Sequence, residues 1–160
     1  GSDSAHDYIG RLFKALFAAI VVVVIIYAFV PGAYQYLISI HWAERKWISF
    51  TGIVLLFVSL VWTILAQVQM GDSWRIGIDT KHRTELVQSG VFKISRNPIF
   101  VGMMVTLLGL FLVIPNVVTL ITFLVGVILI GIQVRLEEEY LTRTHGDEYI
   151  EYRHNVRRWI

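Results

Sequence analysis

The chain has 160 residues, of which 56% are hydrophobic and only 16% are charged, whereas a soluble domain typically carries about 25% charged residues. The net charge of +2 is too small to indicate a nucleic-acid partner. Because the chain contains no cysteine, thiol catalysis, haem thiolate and cysteine-based metal sites are excluded.

The first half of the chain contains two long uncharged runs, residues 15–40 and 47–71. About 20 apolar residues are needed to cross the hydrocarbon core of a bilayer. Each run therefore predicts one transmembrane helix, at about 12–38 and 47–69. Pro31-Gly32 should kink the first helix or end it early. We expect residues 1–70 to form a two-helix membrane anchor.

A polar connector at 71–97 separates this anchor from a third uncharged run, residues 98–134. That run is too long for one crossing and contains Pro115-Asn116 near its middle. It predicts a helical hairpin of helices 98–114 and 117–134. Pro98 suits the first turn of a helix, with Asn97 as its N-cap.

Charge returns at residues 135–139, after which the sequence predicts an amphipathic helix broken at His145-Gly146. Tyr149, Tyr152, Val156 and Ile160 recur at spacings of three and four, so this helix should lie in the membrane interface or cap the connector. The predicted fold is an all-α integral membrane protein with about four transmembrane helices and a core at 71–160. A large soluble protein with buried helices is the disfavoured alternative.

Basic residues predict the orientation. Twelve of the fourteen Lys and Arg lie before the first helix, between the second and third, or after the fourth; only Arg45 and Lys46 lie on the other side. Both termini and the polar segments should therefore be cytoplasmic. The sequence leaves the oligomeric state open.

The polar residues suited to chemistry concentrate at the cytoplasmic ends of the hairpin. Arg96-Asn97-Pro98 opens the hairpin, and a helix N-terminus there favours an anionic group. Glu137 and Glu138 close it and are suited to a cationic or hydroxyl-bearing ligand. The alternative is that these charges only mark the helix ends. The five histidines show no metal-ligand spacing, and no Rossmann or P-loop motif is present.

Two blocks of sequence resemble one enzyme family. Residues 85–102 read ELVQSGVFKISRNPIFVG, and residues 137–157 read EEEYLTRTHGDEYIEYRHNVR. They resemble the patterns L-V-x-x-G-[VLI]-[YF]-x-x-x-R-[HN]-P-x-[YF]-x-G and E-E-x-x-L-x-x-x-[FH]-G-x-x-Y-x-x-Y-x-x-x-V-x-R of the isoprenylcysteine carboxyl methyltransferase and phospholipid methyltransferase family. The blocks occur in the family's order, separated by the same hairpin.

This resemblance implies a membrane methyltransferase that uses S-adenosylmethionine and a lipophilic acceptor entering from the bilayer. It places Arg135 and Glu138 in the catalytic site, with Arg135 facing the acceptor. The residues that it assigns to the cofactor pocket are Leu86, Val87, Gly90, Arg96, Asn97, Pro98, Phe100, Gly102, Glu137, Glu138, Tyr149 and Tyr152.

The chain also departs from the family pattern. Asn97 stands where many carboxyl-methylating members have His, and Phe100 replaces the commoner Tyr. Arg135 precedes Glu138 by three residues, where the family pattern has four. The acceptor therefore stays open among an isoprenylcysteine carboxylate, a phospholipid amine and a similar lipophilic molecule. The alternative functions are an NADPH-dependent membrane reductase and a small transporter or non-catalytic membrane protein.

Overall fold

The computed structural model describes residues 2–71 and 86–160, and the described residues form an all-α structure. The helices, in chain order, are α1 (Ser2–Phe29), α2 (Pro31–Tyr34), α3 (Lys46–Met70), α4 (Pro98–Val113), α5 (Val117–His145) and α6 (Asp147–Asn155). Short 3₁₀ turns lie at Gln35–Leu37, His41–Ala43 and Gly90–Lys93. The predicted fold class is confirmed.

Three described helices are long and apolar enough to cross a membrane: Tyr8–Phe29 within α1, α3 and α5. The fourth apolar helix, α4, has 16 residues and is therefore about 24 Å long, shorter than a hydrocarbon core of about 30 Å. The hairpin of α4 and α5 lies where the sequence predicts it.

The fourth helix does not end where charge returns. We expected it to stop near residue 134, but α5 continues without interruption to His145. Leu, Glu and Arg are good helix formers, and Arg143 pairs with Glu139 one turn earlier at 3.3 Å, so charge ends the apolar stretch without ending the helix. The predicted break at His145-Gly146 is confirmed, because Gly146 has a φ of +57° and separates α5 from α6.

Pro31 ends the first helix early, as expected. α1 stops at Phe29, and Pro31 begins the short helix α2. The chain then reaches the hairpin turn, where the Ile40 N–H donates to the Pro115 carbonyl at 2.8 Å. The loop between the first two long helices is thus attached to the α4–α5 turn.

A capping box starts α5 at this turn. The Asn116 side chain accepts from the Thr119 N–H at 3.0 Å, and the Asn116 N–H donates to the Thr119 hydroxyl at 3.2 Å. Both residues are buried. Because the side chains satisfy N–H groups that the helix leaves unpaired, the turn can lie inside the protein.

Close packing of α3 on α4 fixes the position of the short helix. Gly52 and Gly109 meet where the two backbones approach each other. One turn further, the Thr106 hydroxyl donates to the Ser59 hydroxyl at 2.9 Å. Small residues and interhelical hydrogen bonds are the usual means of association in a bilayer, where the hydrophobic effect between helices is absent.

The N-terminal helices pack directly on the hairpin: α3 lies against α4, and α1 lies against α5. Leu16 and Ile20 of α1 contact the cluster around Ile130 and Val134. The division into an anchor (1–70) and a core (71–160) stays a prediction.

The C-terminal helix is shorter than the sequence predicts. α6 ends at Asn155, so Val156 and Ile160 do not share a helical face with its tyrosines. Residues 156–160 form a tail that turns toward the connector, where the Arg96 N–H donates to the Arg157 carbonyl at 2.9 Å. This contact replaces a further helical turn.

α6 covers the described end of the connector, as the capping interpretation predicts. The Tyr152 hydroxyl donates to the Phe92 carbonyl at 2.6 Å, and the Gln88 amide donates to Glu148 at 3.3 Å. The rest of the predicted connector, residues 72–85, lies outside the described residues.

We predict that Gly52→Ala destabilises the protein. A Cβ at residue 52 would lie 2.8 Å from the Gly109 carbonyl oxygen and 2.9 Å from Leu112 Cβ, so the helices must separate at a cost of about 1–3 kcal/mol. Gly10→Ala is the matched control, since its Cβ would meet nothing within 4 Å. Thermal unfolding in detergent should show a lower Tm for Gly52→Ala alone; equal Tm values for both variants would contradict the close α3–α4 approach.

Candidate functional site

The site centres on the carboxylate of Glu138, which is only 6% exposed although it lies on the polar part of α5. Arg158 from the C-terminal tail binds it with two hydrogen bonds, Nε to Oε1 at 3.1 Å and Nη2 to Oε2 at 2.7 Å. Arg96, which precedes α4, places Nη1 3.5 Å from Oε1. The hydrogen bonds that Arg158 donates to Glu138 raise the pKa of Arg158, so its guanidinium stays charged.

Arg96 is buried but incompletely paired. Its side chain is 8% exposed, and neither Nε nor Nη1 has a hydrogen-bond partner among the described residues. An unsatisfied buried donor costs about 1–3 kcal/mol, and more when the group is charged. Arg96 therefore presents donors suited to an anionic or carbonyl oxygen of a ligand.

Tyr149 adds a neutral hydroxyl to this cluster. Burial, together with the nearby Glu138, raises the pKa of Tyr149 to about 12, although Arg96 acts to lower it. The phenol therefore stays protonated at neutral pH and can donate a hydrogen bond. Its ring packs edge-on against Tyr152, with centroids 6.1 Å apart.

The C-terminal tail crosses the start of α4. The Arg158 carbonyl accepts from the Ser95 hydroxyl at 3.2 Å and from the Asn97 side-chain amide at 3.1 Å. Asn97 occupies the N-cap position of α4, but its side chain makes no cap hydrogen bond. The predicted N-cap position is therefore confirmed, but the side chain binds the tail through its amide and does not cap the helix.

Pro98 is buried at the first turn of α4, as predicted. Its carbonyl accepts from the Trp62 indole N–H of α3 at 2.8 Å. α3 therefore sets the position of the α4 N-terminus beside the charged cluster.

The structure thus brings together five of the predicted site residues around the buried carboxylate: Arg96, Asn97, Pro98, Glu138 and Tyr149. Tyr152 lies directly behind Tyr149, and its hydroxyl is bound to the connector backbone. Burial raises the pKa of Tyr152 to about 12.

Several other predicted residues contact different parts of the fold. Gly102 faces Thr63 of α3, and Phe100 packs on the cluster of Leu107, Ile130 and Val134. Both lie on α4, Phe100 in its first turn and Gly102 in its second. Their predicted contact with a cofactor stays a prediction.

The connector residues form a small apolar cluster beside the site. Val87 packs against Ala66, Val91 and Phe92. Gly90 has a φ of +59°, and the side chain of Gln69 fills the space that a Cβ would need. Leu86 is half-buried at the start of the described segment.

Arg135 and Glu137 flank the cluster without a direct contact to the Glu138 carboxylate in the described structure. Arg135 is exposed, and Glu137 is half-buried. Arg135 and Arg158 together border two cavities. One, of about 550 Å³, is polar and also contacts Thr142 and Arg153.

The second cavity, of about 510 Å³, is an apolar groove along the outer face of α5. Its apolar lining residues are Met104, Val127, Ile128, Gly131, Ile132 and Trp159. Because all of these residues except Trp159 of the tail lie on apolar parts of α4 and α5, the groove opens toward the lipid side of the helices.

The sequence interpretation missed Arg158, Ser95 and Trp159. The final Arg of the second family pattern falls on Arg158, two residues after Val156, so the pattern itself is the signal that distinguishes Arg158 from Arg153 and Arg157. Trp159 packs on the buried cluster around Ile130. A contact between residues 20 positions apart, on a helix and a non-helical tail, leaves no periodic signal.

Comparison with known proteins supports the resemblance. A family model described as phospholipid methyltransferase matches residues 47–148, more than half of the chain. Protein-S-isoprenylcysteine O-methyltransferase B of Arabidopsis thaliana is 29% identical over 131 residues, covering 80% of this chain and 62% of the relative. Protein-S-isoprenylcysteine O-methyltransferase A of the same plant is 28% identical over 129 residues, covering 79% and 61%.

The chain therefore spans about three fifths of the length of these two relatives. The matched region of the family model contains α3, the connector, the whole hairpin and the buried Glu138. Together, the two motifs and this match show that the chain belongs to the phospholipid methyltransferase family.

Proposed function

We propose that this membrane protein is an S-adenosylmethionine-dependent methyltransferase whose cofactor lies at the Glu138–Arg96 cluster and whose acceptor is lipophilic. The observation that carries the proposal is the buried pair itself. A carboxylate and an incompletely paired guanidinium lie side by side next to a helix N-terminus. Family membership favours this activity over a reductase or a non-catalytic protein.

The described residues fit the charged end of such a cofactor. Its ammonium group requires an acceptor of negative charge, which Glu138 supplies. Its carboxylate requires donors, which the unpaired N–H groups of Arg96 and the first turn of α4 supply. The protonated Tyr149 hydroxyl provides a further donor within the same cluster.

Methyl transfer requires position and exclusion of water more than proton transfer. The cofactor supplies an activated methyl group when bound. The chain's own residues then need to hold the donor and align the acceptor. The tail covers the cluster, and Trp159 packs on the apolar core beside it, which keeps water from that side.

The apolar groove on α5 offers an approach for a lipophilic acceptor from the bilayer. It runs from lipid-facing residues to Arg135 and Arg158 at its polar end. We propose that the acceptor is an isoprenylcysteine carboxylate, a phospholipid amine or a similar molecule, with Arg135 facing it. We further propose that the site and both termini are cytoplasmic, from the distribution of basic residues.

Binding of S-adenosylhomocysteine, the demethylated product, should depend on Glu138. We expect Glu138→Gln to weaken binding roughly 10- to 150-fold, the worth of a hydrogen bond to a charged group at about 1.5–3 kcal/mol. Calorimetric titration of detergent-solubilised protein measures this.

Glu151→Gln, on the exposed face of α6, is the matched control and should bind as the wild type does. Glu138→Asp keeps the negative charge and serves if Glu138→Gln does not fold. It should bind S-adenosylhomocysteine with an affinity between those of the wild type and Glu138→Gln. Equal binding by wild type and Glu138→Gln would place the cofactor elsewhere.

Arg96 should act on the carboxylate end of the ligand. We expect Arg96→Lys, which keeps the charge but loses the planar fork, to weaken S-adenosylhomocysteine binding about tenfold. The decarboxylated analogue of S-adenosylhomocysteine should lose little affinity in this variant, because it has no carboxylate for Arg96 to bind. An equal loss for both ligands would show that Arg96 acts only by supporting Glu138.

The cysteine-free chain allows a direct test of orientation. A single Cys at exposed Gln35 should react with a membrane-impermeant maleimide in intact cells, whereas one at exposed Ser89 should react only after permeabilisation. The reverse pattern would place the candidate site on the outer side.

A further inference from the structure

Arg158 occupies both oxygens of the Glu138 carboxylate, the group that a positively charged ligand needs. Its Nε and Nη2 engage one oxygen each, at 3.1 and 2.7 Å. Arg96 Nη1 lies 3.5 Å from the same Oε1 atom. Two guanidinium groups thus already share one carboxylate.

The backbone of the tail is held independently of this ion pair. Ser95 and Asn97 donate to the Arg158 carbonyl, and the Arg96 N–H donates to the Arg157 carbonyl. The Trp159 side chain packs into the apolar core. The guanidinium of Arg158 can therefore change position while the tail stays in place.

Space for that movement exists on both sides. The Arg158 side chain is 40% exposed, whereas Glu138 is almost fully buried. The polar cavity of about 550 Å³ and the apolar groove of about 510 Å³ both border Arg158. The two cavities therefore offer volume for a rotated Arg158 side chain.

Building on the proposed function, we propose that Arg158 is an internal counter-ion of the cofactor site. It holds Glu138 in the ligand-free protein and is displaced into the adjoining cavities when the ammonium group of the cofactor takes its place. Arg158 thereby determines how tightly the site holds positively charged ligands.

Electrostatics favours displacement over coexistence. While Arg158 remains, its guanidinium engages both oxygens of Glu138. An added ammonium group would have to approach a second positive charge at the same buried carboxylate, where like-charge repulsion is screened less than in water. S-adenosylmethionine carries a sulfonium in addition to the ammonium. Its binding should therefore respond to the loss of Arg158 more than that of S-adenosylhomocysteine, whose sulfur is neutral.

The test compares Arg158→Gln with Arg157→Gln. Arg157 is the adjacent tail residue, its side chain is exposed, and its carbonyl is kept in the variant. Calorimetric titration should show S-adenosylhomocysteine binding roughly three- to tenfold tighter to Arg158→Gln than to the wild type, the range for a partly exposed bidentate pair. The gain for S-adenosylmethionine should be larger, and Arg157→Gln should change either affinity less than about twofold.

Unchanged or weaker binding by Arg158→Gln would overturn the proposal. Weaker binding of both ligands would mean that Arg158 holds the cofactor carboxylate. In either outcome the proposed function stands, because binding by the wild type tests it separately. No binding by any variant would overturn both.

A ligand-free measurement checks the pair itself. Tm values for Glu138→Gln, Arg158→Gln and the double variant should be clearly non-additive, whereas additive values would overturn the counter-ion role whatever the ligand data show. Arg158→Lys, which keeps the charge, replaces Arg158→Gln if the latter does not fold, and its affinity gain should be smaller but of the same sign.

Discussion

The buried Glu138 carboxylate requires compensating positive charge, because burying a charge without a partner costs far more than a hydrogen bond returns. The compensation comes from two distant parts of the chain, Arg96 before α4 and Arg158 in the C-terminal tail. This requirement joins α5, the start of α4 and the tail at one place. The tail leaves the helical path after Asn155 and lies across the connector, where these contacts are made.

The α3–α4 contact determines where this charged cluster lies relative to the apolar helices. The glycine crossing and the Ser59–Thr106 hydrogen bond set the two backbones close together. The Trp62 indole then holds the Pro98 carbonyl at the first turn of α4. Because α4 is short, its N-terminus can lie inside the membrane surface that a full-length span would reach. This leaves room there for polar groups with apolar side chains beside them.

Large apolar side chains remain exposed on the outer faces of α1 and α3, among them Phe17 and Phe57, each 67% exposed. On helices of this length and composition, lipid covers such surfaces. Interior contacts therefore combine the apolar clusters with small residues, hydroxyl groups and the charged cluster. In the described part of the chain, a groove on α5 combines apolar walls with Arg135 and Arg158, the second of which binds Glu138.

The amino-acid sequence by itself determined the class of fold, because uncharged runs and their length reflect the thickness of a bilayer directly. It also determined the hairpin turn, the helix break at Gly146 and the family, since these depend on local residues: Pro115-Asn116, a glycine with positive φ, and two motifs. Arg96 and Glu138 could be chosen as site residues because they lie at the two ends of a predicted hairpin.

Only the tertiary structure decided the partners of those residues. It showed that α5 continues through the charged segment, that Asn97 binds the tail instead of capping α4, and that Arg158 is the residue bound to Glu138. These outcomes depend on the path of a non-helical tail and on which side chain that tail brings to a buried carboxylate. Periodicity and motif spacing report local geometry, so they carry no information about such long-range contacts.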